Sequence, residues 1–220
     1  MKYMIDGEEI VLDISEVPII GDEVCLLHQD DDLSDGCSWQ RRGFVVAPIL
    51  DKVLFDNLYR GVTDLVLSGL RYAGCVIDAD VFSLEMYHEY VTSRDSHLKV
   101  IEFLRKKAGL ENLPLNYACL DEALSLQCEK SVSCNAVNQV ASGYFFIRIV
   151  RPFPCQDNNP PHKDVWLERL RNGINLYLPL TGSDEKSSLS LVPGSHLWKE
   201  SRIPRTRAGA EVNGVKYSVP

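Results

Sequence analysis

Tyr144-Phe145-Phe146-Ile147-Arg148-Ile149-Val150, followed by Gly173-Ile174-Asn175-Leu176-Tyr177-Leu178 and Leu189-Ser190-Leu191-Val192, decides the reading of the fold. Each run is aromatic or rich in β-branched residues and is bounded by Pro, Gly or Ser clusters, the composition of strands. No helical pattern separates them as a parallel, doubly wound sheet would require. Upstream of Asn135 the texture is helical. Asp51 is a plausible N-cap for a stripe of Leu54, Leu58, Val62, Leu65 and Val66 that runs out at Gly69. A second helix is expected from near Asp95 to Gly109, with Val100, Ile101 and Leu104 on its apolar face, and a third over residues 119–130. Helices first and strands second predict a mainly β domain with a helical buttress.

The boundaries follow from this order. Residues 1–220 read as one domain: an acidic N-terminal hairpin and loop over 1–35, a mainly helical part over 44–134, and strands over 143–220. The hairpin is signalled by Asp6-Gly7 between two short apolar runs, since that dipeptide tolerates positive φ. Gly43-Phe44-Val45-Val46-Ala47-Pro48 reads as a short strand halted by proline.

Composition excludes several classes. The 220 residues carry 23 basic and 31 acidic side chains, residues 1–35 alone hold 11 acids and one base, and the modest cluster of Lys199, Arg202, Arg205, Arg207 and Lys216 reads as an exposed solvated loop, so nucleic-acid binding is not expected. No apolar run is long enough to span a bilayer, and Met1–Glu9 lacks the apolar core of a secretory signal, which predicts a cytoplasmic protein with no membrane contact. Seven cysteines without a C-x-x-C pair fit reduced thiols better than a disulfide frame.

The chemistry-bearing stretch is Asn159-Pro160-Pro161-His162-Lys163-Asp164-Val165-Trp166. In an extended strand residues i and i+2 share a face, so His162 and Asp164 would present an imidazole and a carboxylate together. Such a pair is two thirds of the facial triad with which non-haem iron oxygenases hold ferrous iron while leaving positions open. Five His and 17 Asp give roughly 0.4 such spacings by chance. The other copy, His28-Gln29-Asp30, lies in the acidic loop and reads as solvated.

The order of a strand entering Pro-x-His-x-Asp, then Ile174-Asn175-Leu176-Tyr177-Leu178-Pro179-Leu180, then Ser188-Leu189-Ser190-Leu191-Val192-Pro193-Gly194-Ser195-His196, resembles the phytanoyl-CoA dioxygenase-like family of Fe(II)/2-oxoglutarate-dependent oxygenases. The specific part covers about residues 144–200. The resemblance implies a double-stranded β-helix, or jelly roll, with helices on one face, and metal ligation by His162 and Asp164. It implies 2-oxoglutarate contacts at Asn175 and Tyr177, which share a face of their strand, and Arg148 is either a further contact or a structural ion-pair residue. Fe(II), 2-oxoglutarate and dioxygen are the implied cofactor and cosubstrates. The implied reaction couples oxidative decarboxylation of 2-oxoglutarate to hydroxylation of a C–H bond in a small-molecule substrate. Asp164 fills the coordination position that a halogenase leaves for chloride, which favours hydroxylation.

Two departures stand beside the resemblance. Only about five of the eight strands of a jelly roll can be counted, and neither the distal histidine nor the 2-oxoglutarate-binding arginine is found before Pro220, so the fold reads as C-terminally incomplete. His196 belongs to a turn that shapes the site in the resembled family and is a poor candidate for the missing ligand. The alternatives are a non-catalytic jelly-roll binding module derived from such an oxygenase, and a cupin-type metal protein, although the histidine cluster of a cupin is absent.

Overall fold

The computed structural model describes residues 32–108, 112–134, 145–152, 163–164, 173–184 and 188–197, together with the backbone of four short strands. Contacts divide the chain into two compact units, Met1–Phe44 with Val150–Pro179 and Ser183–Pro220, and Val45–Ile149 with Leu180–Gly182.

The second unit is helical. α1 (Lys52–Tyr72) starts where the sequence places it, at Asp51, whose carboxylate accepts the Leu54 N–H at 2.8 Å and satisfies one of the orphan donors of the first turn. Leu58, Val62, Val66, Leu67 and Leu70 form its buried stripe. Gly69, read from sequence as the stop, is instead a close-packing point: a Cβ there would lie 3.1 Å from Val100 Cγ1 and 3.4 Å from Phe103 Cδ1. The helix ends one turn later. Gly74 has φ +82°, its N–H bonds Arg71 O, and Cys75 N–H bonds Leu70 O, the reciprocal pattern of a Schellman stop.

A 3₁₀ turn (Leu84–Met86) leads into the short α2 (Tyr87–Tyr90). α3 (Arg94–Lys107) is capped by Ser93, whose hydroxyl accepts the Ser96 N–H, and carries Arg105, Lys106 and Lys107 at its negative dipole end. It packs against α1 and buries His97, Val100 and Leu104. His97 is a satisfied core residue, with Nδ1 3.0 Å from the buried Tyr87 hydroxyl. α4 (Tyr117–Cys128) opens on Asn116 and buries Leu120, Leu124 and Cys128. After left-handed Glu129 the chain doubles back, so that Val132 bonds the Ser125 side chain and Cys134 N–H bonds Asp121 at 2.7 Å. Desolvation, then the adjoining Asp121, push the Cys134 thiol up to about 11. Cys37, Cys75, Cys119, Cys128 and Cys134 are free thiols.

Among the described residues strand pairing occurs in two hairpins. β1 (Lys2–Ile5) and β2 (Glu8–Val11) pair antiparallel with Ile5 opposite Glu8, where the Asp-Gly signal places the turn. β3 (Glu211–Val212) and β4 (Val215–Lys216) form a second antiparallel pair on either side of Asn213-Gly214 in sequence.

The mainly β jelly roll is therefore corrected. Helix accounts for 44% of the residues described between 32 and 197, and no sheet or barrel joins residues 145–150, 173–180 and 188–192 among them. Gly43–Pro48 likewise forms no strand. In a sandwich one face of each strand must be buried. Here both faces are open: Leu189 and Leu191 are 52% and 51% exposed while Val192, on the opposite face, is 57% exposed. The sequence runs have strand composition, but a strand also needs ladder partners, and propensity supplies none. Among the described residues no helix is long and apolar enough to cross a membrane.

Candidate functional site

His162 lies outside the described residues. Asp164 is half-buried and sits in a 3₁₀ turn; the expected sharing of a face with His162 involves a residue outside the described ones. What the structure brings to it is Asn175. The Asn175 side-chain amide donates from Nδ2 to Asp164 Oδ2 across eleven residues of chain, joining two residues that the sequence singled out for different reasons. Asn175 is itself exposed and lies on the extended segment 173–180.

Tyr177 lies on that segment too, 48% exposed. Arg148, also exposed, belongs to the helical unit, whereas Asp164, Asn175 and Tyr177 belong to the other. Just beyond Tyr177, the short stretch Leu180–Gly182 is held by the helical unit: the Thr181 hydroxyl donates to one Glu85 oxygen and the Tyr59 hydroxyl reaches the other at 3.4 Å. The Thr181 hydrogen bond, helped by backbone and further hydroxyl donors, holds the Glu85 carboxyl below its ordinary value. Burial, then the Glu85 charge, raise the Tyr59 hydroxyl. No sequence signal links Thr181 to Glu85, because the two are 96 residues apart.

His196 has a structural post. It stands in a 3₁₀ turn (Ser195–Leu197), and its Nε2–H donates to the Gln40 carbonyl at 2.7 Å. The other side of the ring lies over Gly43, where a Cβ would come within 2.3 Å of Nδ1. Gly194 N–H bonds Arg42 O at 2.9 Å and completes the clamp. With Nε2–H committed and Nδ1 against the backbone, the ring serves the turn and not a metal. The loop it grips is a chain of turns from Asp32 to Gly43, nucleated by Asp32 Oδ1, which accepts from both the N–H and the hydroxyl of Ser34. The Pro-Gly-Ser-His motif was legible, but its acceptor, a backbone carbonyl at Gln40, could not be.

Among the described residues no three His, Cys, Asp or Glu side chains converge in a way that could hold a metal ion. What the described residues offer at Asp164 is one carboxylate that accepts the Asn175 amide, and the histidine two positions upstream in sequence lies outside them. No protein-family model, no curated protein and no solved structure matches the chain.

Proposed function

We propose that the chain carries out Fe(II)/2-oxoglutarate-dependent hydroxylation of a C–H bond in a small molecule, with His162 and Asp164 as the residues that hold the metal. The reading rests on the order of the sequence motifs from Pro160 to His196 and not on a jelly-roll architecture. The observation that supports it best is the hydrogen bond from Asn175 to Asp164, since ligating carboxylates are characteristically anchored by a neighbouring donor. When bound, ferrous iron with its cosubstrate would supply the activation of dioxygen that no protein side chain can perform. The chain's own part is to present the Asp164 carboxylate and to offer Asn175 and Tyr177 from one extended segment. The free thiols fit a reducing compartment, and we place the protein in the cytoplasm.

An anaerobic titration with ferrous iron and 2-oxoglutarate tests the reading. A visible charge-transfer band of the chelate is expected with the parent chain and is lost in His162→Ala and in Asp164→Ala. A folded parent that gives no band refutes the assignment, and a ligand-binding role without turnover takes its place.

A further inference from the structure

We propose that Leu180–Gly182 is a strap latched to the helical unit through the Thr181 hydroxyl and the Glu85 carboxylate, and that a proton on Glu85 releases it while the helices stay folded. Nothing in the latch depends on a metal at Asp164. Leu180–Gly182 packs with the helical unit, whereas the chain on either side, Val150–Pro179 and Ser183–Pro220, groups elsewhere. So short an insertion has little surface with which to hold on. Leu180 is half-buried, and at Gly182, φ +66°, a Cβ would meet nothing within 4 Å, so apolar packing contributes little. The polar contact is better built. Glu85 accepts from the Thr181 hydroxyl and from the Ser83 side chain, and the Tyr59 hydroxyl of α1 approaches its other oxygen at 3.4 Å. Tyr59 also bonds the Leu84 backbone, and Met86 N–H bonds Ser83 O, so the 3₁₀ turn is closed on itself and tied to α1. The carboxylate thus stands on a fixed platform, and the strap is the part that can leave.

A hydroxyl donating to a carboxylate makes a charge-assisted bond, about twice as strong as one between neutral groups. A proton on Glu85 removes that assistance, and on the oxygen facing Thr181 it turns an acceptor into a competing donor. The Thr181 hydroxyl, then the Glu85 backbone and the other hydroxyls, hold the carboxyl below its ordinary value. The latch is therefore closed above the ordinary value of 4.5 and opens as pH falls through the lower folded value. Tyr59, the titratable neighbour, is raised by burial and then by the Glu85 charge, so it stays a neutral donor throughout this range.

The test is amide hydrogen exchange of the full chain, read by mass spectrometry between about pH 7 and about pH 3.5 and corrected for the intrinsic pH dependence of exchange. A peptide spanning Leu178–Asp184 reports the strap, and peptides from α1 and α3 report the helices. In the parent, protection of the strap peptide is expected to fall by about 3- to 10-fold across the range, the difference between a charged and a neutral acceptor, while α1 and α3 keep theirs. Glu85→Gln and Thr181→Val should show the loosened strap already at neutral pH and no further change on acidification. Thr181→Ser keeps the hydroxyl and should follow the parent. The α1 and α3 peptides show in the same spectra whether each variant is folded, and if Glu85→Gln is not, the two Thr181 variants decide. Strap protection that is unchanged across the range, that falls only in step with α1 and α3, or that is parent-like in Thr181→Val overturns the latch.

Discussion

Gly43→Ala is the sharpest probe of the turn clamp that holds His196. Gly43 has φ +81°, a region in which an L side chain costs about 1–2 kcal/mol. The new methyl would also stand 2.3 Å from His196 Nδ1 and 2.6 Å from Cε1, so the ring must leave its place over the glycine. Moving it breaks the 2.7 Å bond from Nε2 to the Gln40 carbonyl, a loss of about 1 kcal/mol net. The two terms together come to about 2–3 kcal/mol of local stability, or roughly 30- to 150-fold in the opening equilibrium at 1.4 kcal/mol per tenfold. Amide hydrogen exchange reads it directly at the Gly194 N–H, which bonds Arg42 O and is protected only while the clamp is closed. Gly36→Ala is the internal control. It has φ +74° but nothing within 4 Å of its new Cβ, so only the backbone cost applies. In the double variant Gly43→Ala/His196→Ala the clash vanishes, and the pair should be non-additive by about 1 kcal/mol. Equal effects from Gly43→Ala and Gly36→Ala, or strict additivity in the double variant, would refute the contact between the ring and the glycine.

Two further expectations concern the helical unit. Gly61→Ala places a Cβ 2.4 Å from Pro114 Cδ, a stiff ring, and should lower stability by about 1–2 kcal/mol despite the gain in helix propensity; Gly69→Ala, at 3.1 Å from a Val100 methyl, should stay within about 1 kcal/mol of the parent, and denaturant titration separates the two. Glu85 has a folded pKa below its unfolded value because Thr181 and its other donors favour the carboxylate, so the folded state binds fewer protons: the stabilisation is fully present above the ordinary value of 4.5 and is lost as pH falls through the lower folded value. Thr181→Val should flatten the acid limb of a stability-against-pH curve, and an unchanged limb would remove Thr181 as the cause.

The helices were legible because their signals are local. Asp51 caps α1 four residues before Phe55, whose N–H reaches the Asp51 carbonyl, and the spacing of Leu58, Val62 and Val66 needs no knowledge of what they touch. Gly69 misled because a glycine in an apolar stripe looks the same whether it ends a helix or admits a neighbour; only the approach of Val100 on α3 distinguishes the cases. Strands carry less local information. Phe145, Ile147 and Ile149 alternate with the more exposed Phe146, Arg148 and Val150, so period two is present in the accessibility itself. Yet a sheet is made by pairing over long sequence separations, and composition does not specify that pairing.

The same distinction governs the candidate site. The expectation for His162 and Asp164 is a local one, two side chains on one face of a strand, and it turns on His162, which lies outside the described residues. What the structure shows at Asp164 is instead non-local, a hydrogen bond from the amide of residue 175, and pairing across eleven residues of chain leaves no signal in the sequence. The grip of Gln40 and Gly43 on His196 carries the complementary lesson, since a histidine with both ring faces of its chemistry committed to backbone is explained by the fold alone.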